Sequence, residues 1–241
     1  MSTLLDLMQP ALEPEIFEAP APDTAVSPGC ASRNFAGFAD EQMRLLVRQI
    51  FFPGWPKPPR HVAFSAVDES TYVAEICMEV GRILSTQVSG NVCLIEANPH
   101  NPELENIFGR RNRAVGPRDG LGSLRNSSQH ISGNLWLAPL RVLMGEAGSP
   151  PSTSWVERRL LDFRLEFDYT ILHAPAVGPY SEAALLGRLS EGVALVLEAN
   201  VTRRAAAQKA KELLQAANAR VLGTVLSERT FPIPEGIYKR L

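Results

Sequence analysis

Val92-Cys93-Leu94-Ile95-Glu96-Ala97-Asn98-Pro99-His100-Asn101-Pro102-Glu103-Leu104 is the stretch on which the fold turns. Its first four side chains are apolar without alternation, the mark of a strand buried on both faces rather than one with a wet side. The run breaks at Glu96 into a polar turn with two prolines, and Pro102 to Phe108 then reads as a short helix. An apolar strand that empties into a helix is the repeating unit of a mostly parallel sheet covered on both faces.

The same alternation runs outward in both directions. Upstream, His61 to Val67 reads as a strand, and Ser70 to Gln87 as a helix with Ala74, Cys77, Val80, Ile83 and Leu84 on its apolar side. Before them, Met43, Leu46, Val47 and Ile50 recur at helical spacing from Asp40 until Pro53-Gly54. Downstream, Leu135 to Leu140, Tyr169 to His173, Val193 to Glu198 and Val221 to Leu226 read as further strands. Helices over Ser154 to Phe167, Ser181 to Leu189 and Thr202 to Ala217 separate them, and Arg110 to Gly133 reads as a surface loop. One α/β domain over residues 39–228 is expected, between a Pro/Ala/acid-rich tail (1–38) and a Pro-rich C-terminal tail (229–241). In such a sheet ligands bind beyond the C-terminal strand ends, here after Ser65, Ile95 and Leu172.

Composition narrows the function. Hydrophobic residues at 45% and charged ones at 21% suit a globular protein. A net charge of -2 argues against a nucleic-acid surface, and no apolar run is long enough to cross a bilayer. The N-terminus lacks the basic start of a signal peptide, so a cytoplasmic protein is expected. Cys30, Cys77 and Cys93 have neither disulfide nor metal spacing, and His61, His100, His130 and His173 are too scattered for a zinc site.

Six stretches, in order, resemble the bacterial tyrosine kinases that regulate capsule and exopolysaccharide synthesis, P-loop proteins related to the MinD and ParA ATPases. Glu41-Gln42-Met43-Arg44-Leu45-Leu46-Val47 resembles the family's Glu-x-x-Arg-x-x-Arg oligomerisation motif, with Val47 in place of the second arginine. Val62-Ala63-Phe64-Ser65-Ala66 resembles the strand that enters the phosphate loop. Leu94 to Leu104 is similar to the second Walker motif, Phe167 to Pro175 to the Walker B strand, and Gly192 to Leu197 with Ala219 to Leu226 to the closing strands. The resemblance implies a P-loop NTPase-like fold, ATP and magnesium as ligands, and self-phosphorylation of a tyrosine-rich tail.

The residues do not follow the family into that chemistry. A phosphate loop needs glycines, so that successive N–H groups converge on phosphate oxygens, and a lysine to neutralise their charge. Ser65-Ala66-Val67-Asp68-Glu69-Ser70-Thr71 is shorter, has no Gly and no Lys, and sets two carboxylates where phosphates would sit. Asp68 to Thr71 read instead as caps on the following helix. Glu96 and Asn98 stand where the family has aspartates, and His173 where it has the Walker B aspartate. Glu96 keeps a carboxylate for a metal, Asn98 is no base, and neutral imidazole suits magnesium poorly. His173 as a transition-metal ligand or general base, and Ser65, His173 and Glu96 as a hydrolase trio, are the rival readings; no Gly-x-Ser-x-Gly elbow supports the trio. The tail carries one tyrosine, Tyr238, a possible phosphoacceptor.

The expectation is therefore a degenerate relative without cofactor, a regulatory or binding module in exopolysaccharide or capsule biosynthesis. Its partner would be a membrane polysaccharide copolymerase or a kinase paralogue at the inner membrane, and Glu41 with Arg44 would serve a homo-oligomer. The alternative is an active autokinase or ATPase in which Ser70, Thr71 and Glu96 still hold Mg-ATP. Arg110-Arg111-Asn112-Arg113, with Arg118 and Arg125, forms a basic loop segment, and the helix from Thr202 is basic at its start, against its own dipole.

Overall fold

A computed structural model describes residues 31–54, 57–69, 72–108, 123–145 and 151–227, with side chains from Asp40 onward. The unit that begins at Phe38 contains every strand among the described residues. The strands are β1 (His61–Ala66), β2 (Val92–Glu96), β3 (Gln129–Ser132), β4 (Leu135–Ala138), β5 (Tyr169–His173), β6 (Gly192–Glu198) and β7 (Val221–Ser227). They form one sheet in the order β3-β4-β2-β5-β1-β6-β7. Every pair is parallel except the antiparallel β3 and β4 at one edge.

Successive side chains of a strand point to opposite faces, so a strand apolar throughout needs a core on each side. The part of α1 (Ala31–Phe51) from Asp40 on and α2 (Val73–Gln87) cover one face, where Val47, Phe51, Phe64, Cys77, Leu84 and Leu94 pack together. The other face is covered by α5 (Leu140–Met144), α6 (Thr153–Glu166), α7 (Ser181–Leu189) and α8 (Arg204–Ala216), with Ile95, Phe163, Phe167, Leu172, Leu195 and Leu214 at its centre. Phe64 and its chain neighbour Ala63 therefore serve different cores. Gly81 lets α2 lie close on the sheet, since a Cβ there would stand 2.7 Å from Leu94 Cδ2.

Several boundaries differ from the sequence reading. Arg110 to Gly133 is not loop throughout: α4 (Leu124–Ser127) and β3 occupy its last part, while residues 109–122 lie outside the described ones. β3 alternates half-buried and exposed positions and pairs by a turn at Gly133 (φ +52°), a local hairpin that the polar composition conceals. The strand from Leu135 ends at Ala138, because Pro139, the N-cap of α5, has no N–H for the ladder. α1 begins at Ala31 and not at Asp40. α2 begins at Val73 with Tyr72 at its N-cap and no side-chain cap, so the capping role read for Asp68 and Glu69 is not the one they have.

Candidate functional site

Strand register builds the site. Glu96 ends β2 and stands opposite His173, which ends β5. Phe64 on β1 is the neighbour of His173 on its other side. The two polar strand-end residues are thus neighbours in space although 77 positions apart in the chain.

Their side chains meet: His173 Nδ1 lies 2.8 Å from Glu96 Oε1, with Glu96 fully buried and His173 3% exposed. Glu96 also accepts the Asn98 N–H at Oε1 (3.0 Å) and the Leu104 N–H at Oε2 (2.9 Å). Both oxygens accept within the protein, and the carboxylate closes the turn between β2 and α3 (Glu103–Ile107). Asn98 does the same one step on, its Oδ1 accepting from the N–H groups of His100 (3.1 Å) and Asn101 (3.2 Å). Burial pushes the Cys77 thiol well above its usual range, and the Glu96 charge adds to the effect.

The end of β1 is closed as well. The Ser65 hydroxyl donates to the Pro175 carbonyl at 2.5 Å and is fully buried. The segment after β5 runs back over β1, with N–H groups of Ala174, Val177 and Gly178 donating to the carbonyls of Phe64, Ala66 and Val67. Gly178 permits that approach, since a Cβ there would lie 2.9 Å from the Val67 oxygen. The Val67 N–H donates to Val196 on β6. A phosphate cradle needs strand-end N–H groups turned outward and free, and these are engaged within the protein.

The structure brings Ala66, Asp68, Asn98 and His173 of the sequence-predicted set to one cleft of about 260 Å³, together with Glu69. Ser65, Val67 and Glu96 are buried behind it; of the Ser65, His173 and Glu96 trio, His173 meets Glu96, while the Ser65 hydroxyl bonds to a backbone carbonyl. Ser70 and Thr71 lie outside the described residues, as do Tyr238, Cys30 and the Arg110–Arg113 run with Arg118. Glu69 is held by the Tyr180 hydroxyl, and that bond raises the phenol's pKa. Tyr180 stacks on His100, with ring centroids 3.5 Å apart and planes 10° from parallel, and His100 Nε2 is 3.6 Å from Glu182. Sequence reasoning passed over His100 as one scattered histidine and Tyr180 altogether. Their pairing needs β2 and β5 side by side, which no local pattern announces.

Arg44 salt-bridges Asp40 at 2.9 Å on its own helix, and Arg82 of α2 reaches the same carboxylate at 3.1 Å. The Arg44 contact in particular draws the Asp40 pKa down. Glu41 is exposed, and Val47, at the place of the family's second arginine, is fully buried. Arg125, read as part of a basic loop, donates to the Glu166 carbonyl at 3.0 Å and lies over the Phe167 ring.

Among known proteins, the tyrosine-protein kinase CpsD of Streptococcus agalactiae is 24% identical to this chain over 156 residues, covering 59% of it and 64% of the kinase. The tyrosine-protein kinase YwqD of Bacillus subtilis (strain 168) is 23% identical over 184 residues, 69% and 76% of the two chains. Bacterial tyrosine kinases are its homologues. The alignment spans just under two thirds of the length of the CpsD proteins. No family model matches the chain. The solved structures bear out the P-loop NTPase fold of the kinase, MinD and ParA type. The VpsO kinase domain superposes with a TM-score of 0.66 at 18% identity, over 82% of this chain and 99% of that one. The kinase domain of Escherichia coli ETK gives 0.65 at 16%, over 81% and 79%. A chain of the Aquifex aeolicus MinC:MinD cell division protein complex is more distant, at 0.56 and 15% over 74% and 71%.

Against these kinase homologues, the described strand ends fit a magnesium nucleotide poorly. The N–H groups of Val67, Asn98, His100 and Asn101 have internal acceptors. The open cleft presents Asp68, Glu69 and Glu103 where anionic phosphates would come.

Proposed function

We propose that this chain is a catalytically degenerate relative of the bacterial tyrosine kinases, a regulatory or binding module in exopolysaccharide or capsule biosynthesis. The observation that carries this reading is the buried Glu96–His173 pair. The positions at which the kinase family handles magnesium are spent here on joining two strands and closing a turn. A membrane polysaccharide copolymerase or a kinase paralogue is the partner that the family resemblance suggests. The pairing of Arg44 with Asp40 leaves Glu41 as the exposed member of the oligomerisation motif.

A second reading is favoured by the homologues themselves, which are kinases. In it the chain binds Mg-ATP at an atypical site that includes Ser70 and Thr71. Calorimetric titration with Mg-ATP and Mg-ADP separates the two. Micromolar binding supports the kinase; the degenerate reading expects no heat and no rise in melting temperature at millimolar nucleotide.

A further inference from the structure

The two edges of the sheet are built differently. β3 at one edge has four residues, Gln129-His130-Ile131-Ser132, short and largely polar, as edges that avoid pairing are. β7 at the other runs for seven, Val221-Leu222-Gly223-Thr224-Val225-Leu226-Ser227, with no charge and no proline. Its register shift against β6 falls at Val193/Ala194, near its start, and leaves Thr224 to Ser227 in regular pairing. A strand of that length without those safeguards is a template for another strand.

Register tells which backbone groups are open. The Ser227 carbonyl accepts the Ala199 N–H at 2.9 Å, so Ser227 turns its backbone towards β6. The N–H and C=O of one strand residue point the same way, and successive residues alternate. Those of Thr224 and Leu226 therefore point away from β6. Among the described residues no strand stands there. Gly223 and Thr224 are exposed, Leu226 is 53% exposed, and a Cβ added at Gly223 would meet nothing within 4 Å.

What flanks this edge has a sign. A groove of about 590 Å³ runs between β7 and α8, with Lys211, Gln215, Arg220, Gly223 and Thr224 in its lining and no Asp or Glu among the described residues there. α8, whose basic start opposes its own dipole, carries Arg204, Lys209 and Lys211 at exposed positions. Its one carboxylate, Glu212, accepts from Gln208 at 3.0 Å. Alternate side chains of a strand added to β7 fall on the α8 side, where acids would meet that charge. Pairing of β7 with β7 of a second copy would instead set two α8 helices side by side, with Lys211 and Arg220 facing like charges.

We propose that β7 takes up an extended acidic segment of a protein partner as an added strand. The backbone of Thr224 and Leu226 supplies the hydrogen bonds, and Lys211 with Arg220 supplies the charge that selects the segment. The inference goes beyond the function proposed above and needs neither nucleotide nor its absence at the strand ends.

The test is fluorescence anisotropy of a labelled peptide of alternating Glu and Thr, about as long as β7, titrated with the full chain. Saturable binding is expected, and it weakens at least about fivefold when Gln replaces every Glu. Two further peptides carry N-methyl groups on alternate amides, one set in each; one of them loses binding and the other keeps it. In the protein, Thr224→Pro removes an outward N–H and no bond to β6, a change that edge strands tolerate, and weakens binding at least about tenfold. Should that variant unfold, Lys211→Glu, at an exposed position, supplies the comparison, with a loss of at least about fivefold. No saturable binding, equal affinity for the Gln peptide, equal affinity for the two N-methylated peptides, or unchanged affinity in the folded variant overturns the proposal. A dimer seen by sedimentation that Thr224→Pro disperses overturns it too, since the edge then belongs to a second copy.

Discussion

Glu96 and His173 face each other from the C-terminal ends of two adjacent parallel strands, 2.8 Å apart, and the carboxylate has no contact with solvent. Removing one member of a buried, hydrogen-bonded pair leaves the other's polar atom unpaired. Glu96→Ala is therefore expected to lower the unfolding free energy by about 3 kcal/mol or more. It also unties the Asn98 and Leu104 N–H groups. Urea denaturation of Glu96→Ala, His173→Leu and the double variant would measure the coupling. Strictly additive losses would mean that the two side chains do not interact.

Ser65 separates a structural from a nucleophilic role. Its hydroxyl is buried against the Pro175 carbonyl, so Ser65→Ala leaves that carbonyl without its donor at a cost of about 1–3 kcal/mol. Any hydrolysis of activated esters by the chain is expected to be the same before and after the substitution. A loss of esterase turnover with unchanged stability would restore the nucleophile.

His61 makes stability depend on pH. Burial pushes its imidazole down to about 4, with the Glu191 charge opposing the effect and Arg164 and Arg60 adding to it. Its ring bonds Thr170 at 3.0 Å. A folded-state value below the unfolded one means that the unfolded chain binds the proton first. The neutral form's contribution is complete above the ordinary imidazole value and is lost as pH falls from about 6.5 towards 4, roughly 3 kcal/mol in all. His61→Gln should flatten that part of the curve. Equal pH dependence in both proteins would point to another group.

Val47 tests whether the family's oligomerisation motif can be restored. The side chain is fully buried against α2 and the sheet, so Val47→Arg is expected to cost on the order of 3 kcal/mol or more. By contrast, Arg44→Ala removes a half-exposed pair with Asp40 and should leave the melting temperature almost unchanged. Charge reversal at exposed Glu41 reads the interface itself, by sedimentation. An unchanged oligomeric state and unchanged partner binding would count against a role for the motif.

Much of this protein was legible in the chain alone. Apolar strands such as Val92 to Ile95 have no wet face, so a sheet covered on both sides follows from period and burial. The want of glycine and lysine between Ser65 and Thr71 is likewise a property of the sequence. The β3–β4 hairpin was missed, since alternation over four residues, half of it polar, is a weak signal beside a glycine- and serine-rich run. The caps read onto Asp68 and Glu69 failed because Glu69 has a distant partner, Tyr180, that local spacing cannot announce.

What only the tertiary structure decided is who stands next to whom. Strand order is set by how helices fill the two faces, and it places β5 between β1 and β2. Glu96 and His173 are, in the sequence, two separate departures from the family's pattern. Side by side in the sheet they become one buried pair, because register brings strand ends together and burial forces polar groups to satisfy one another.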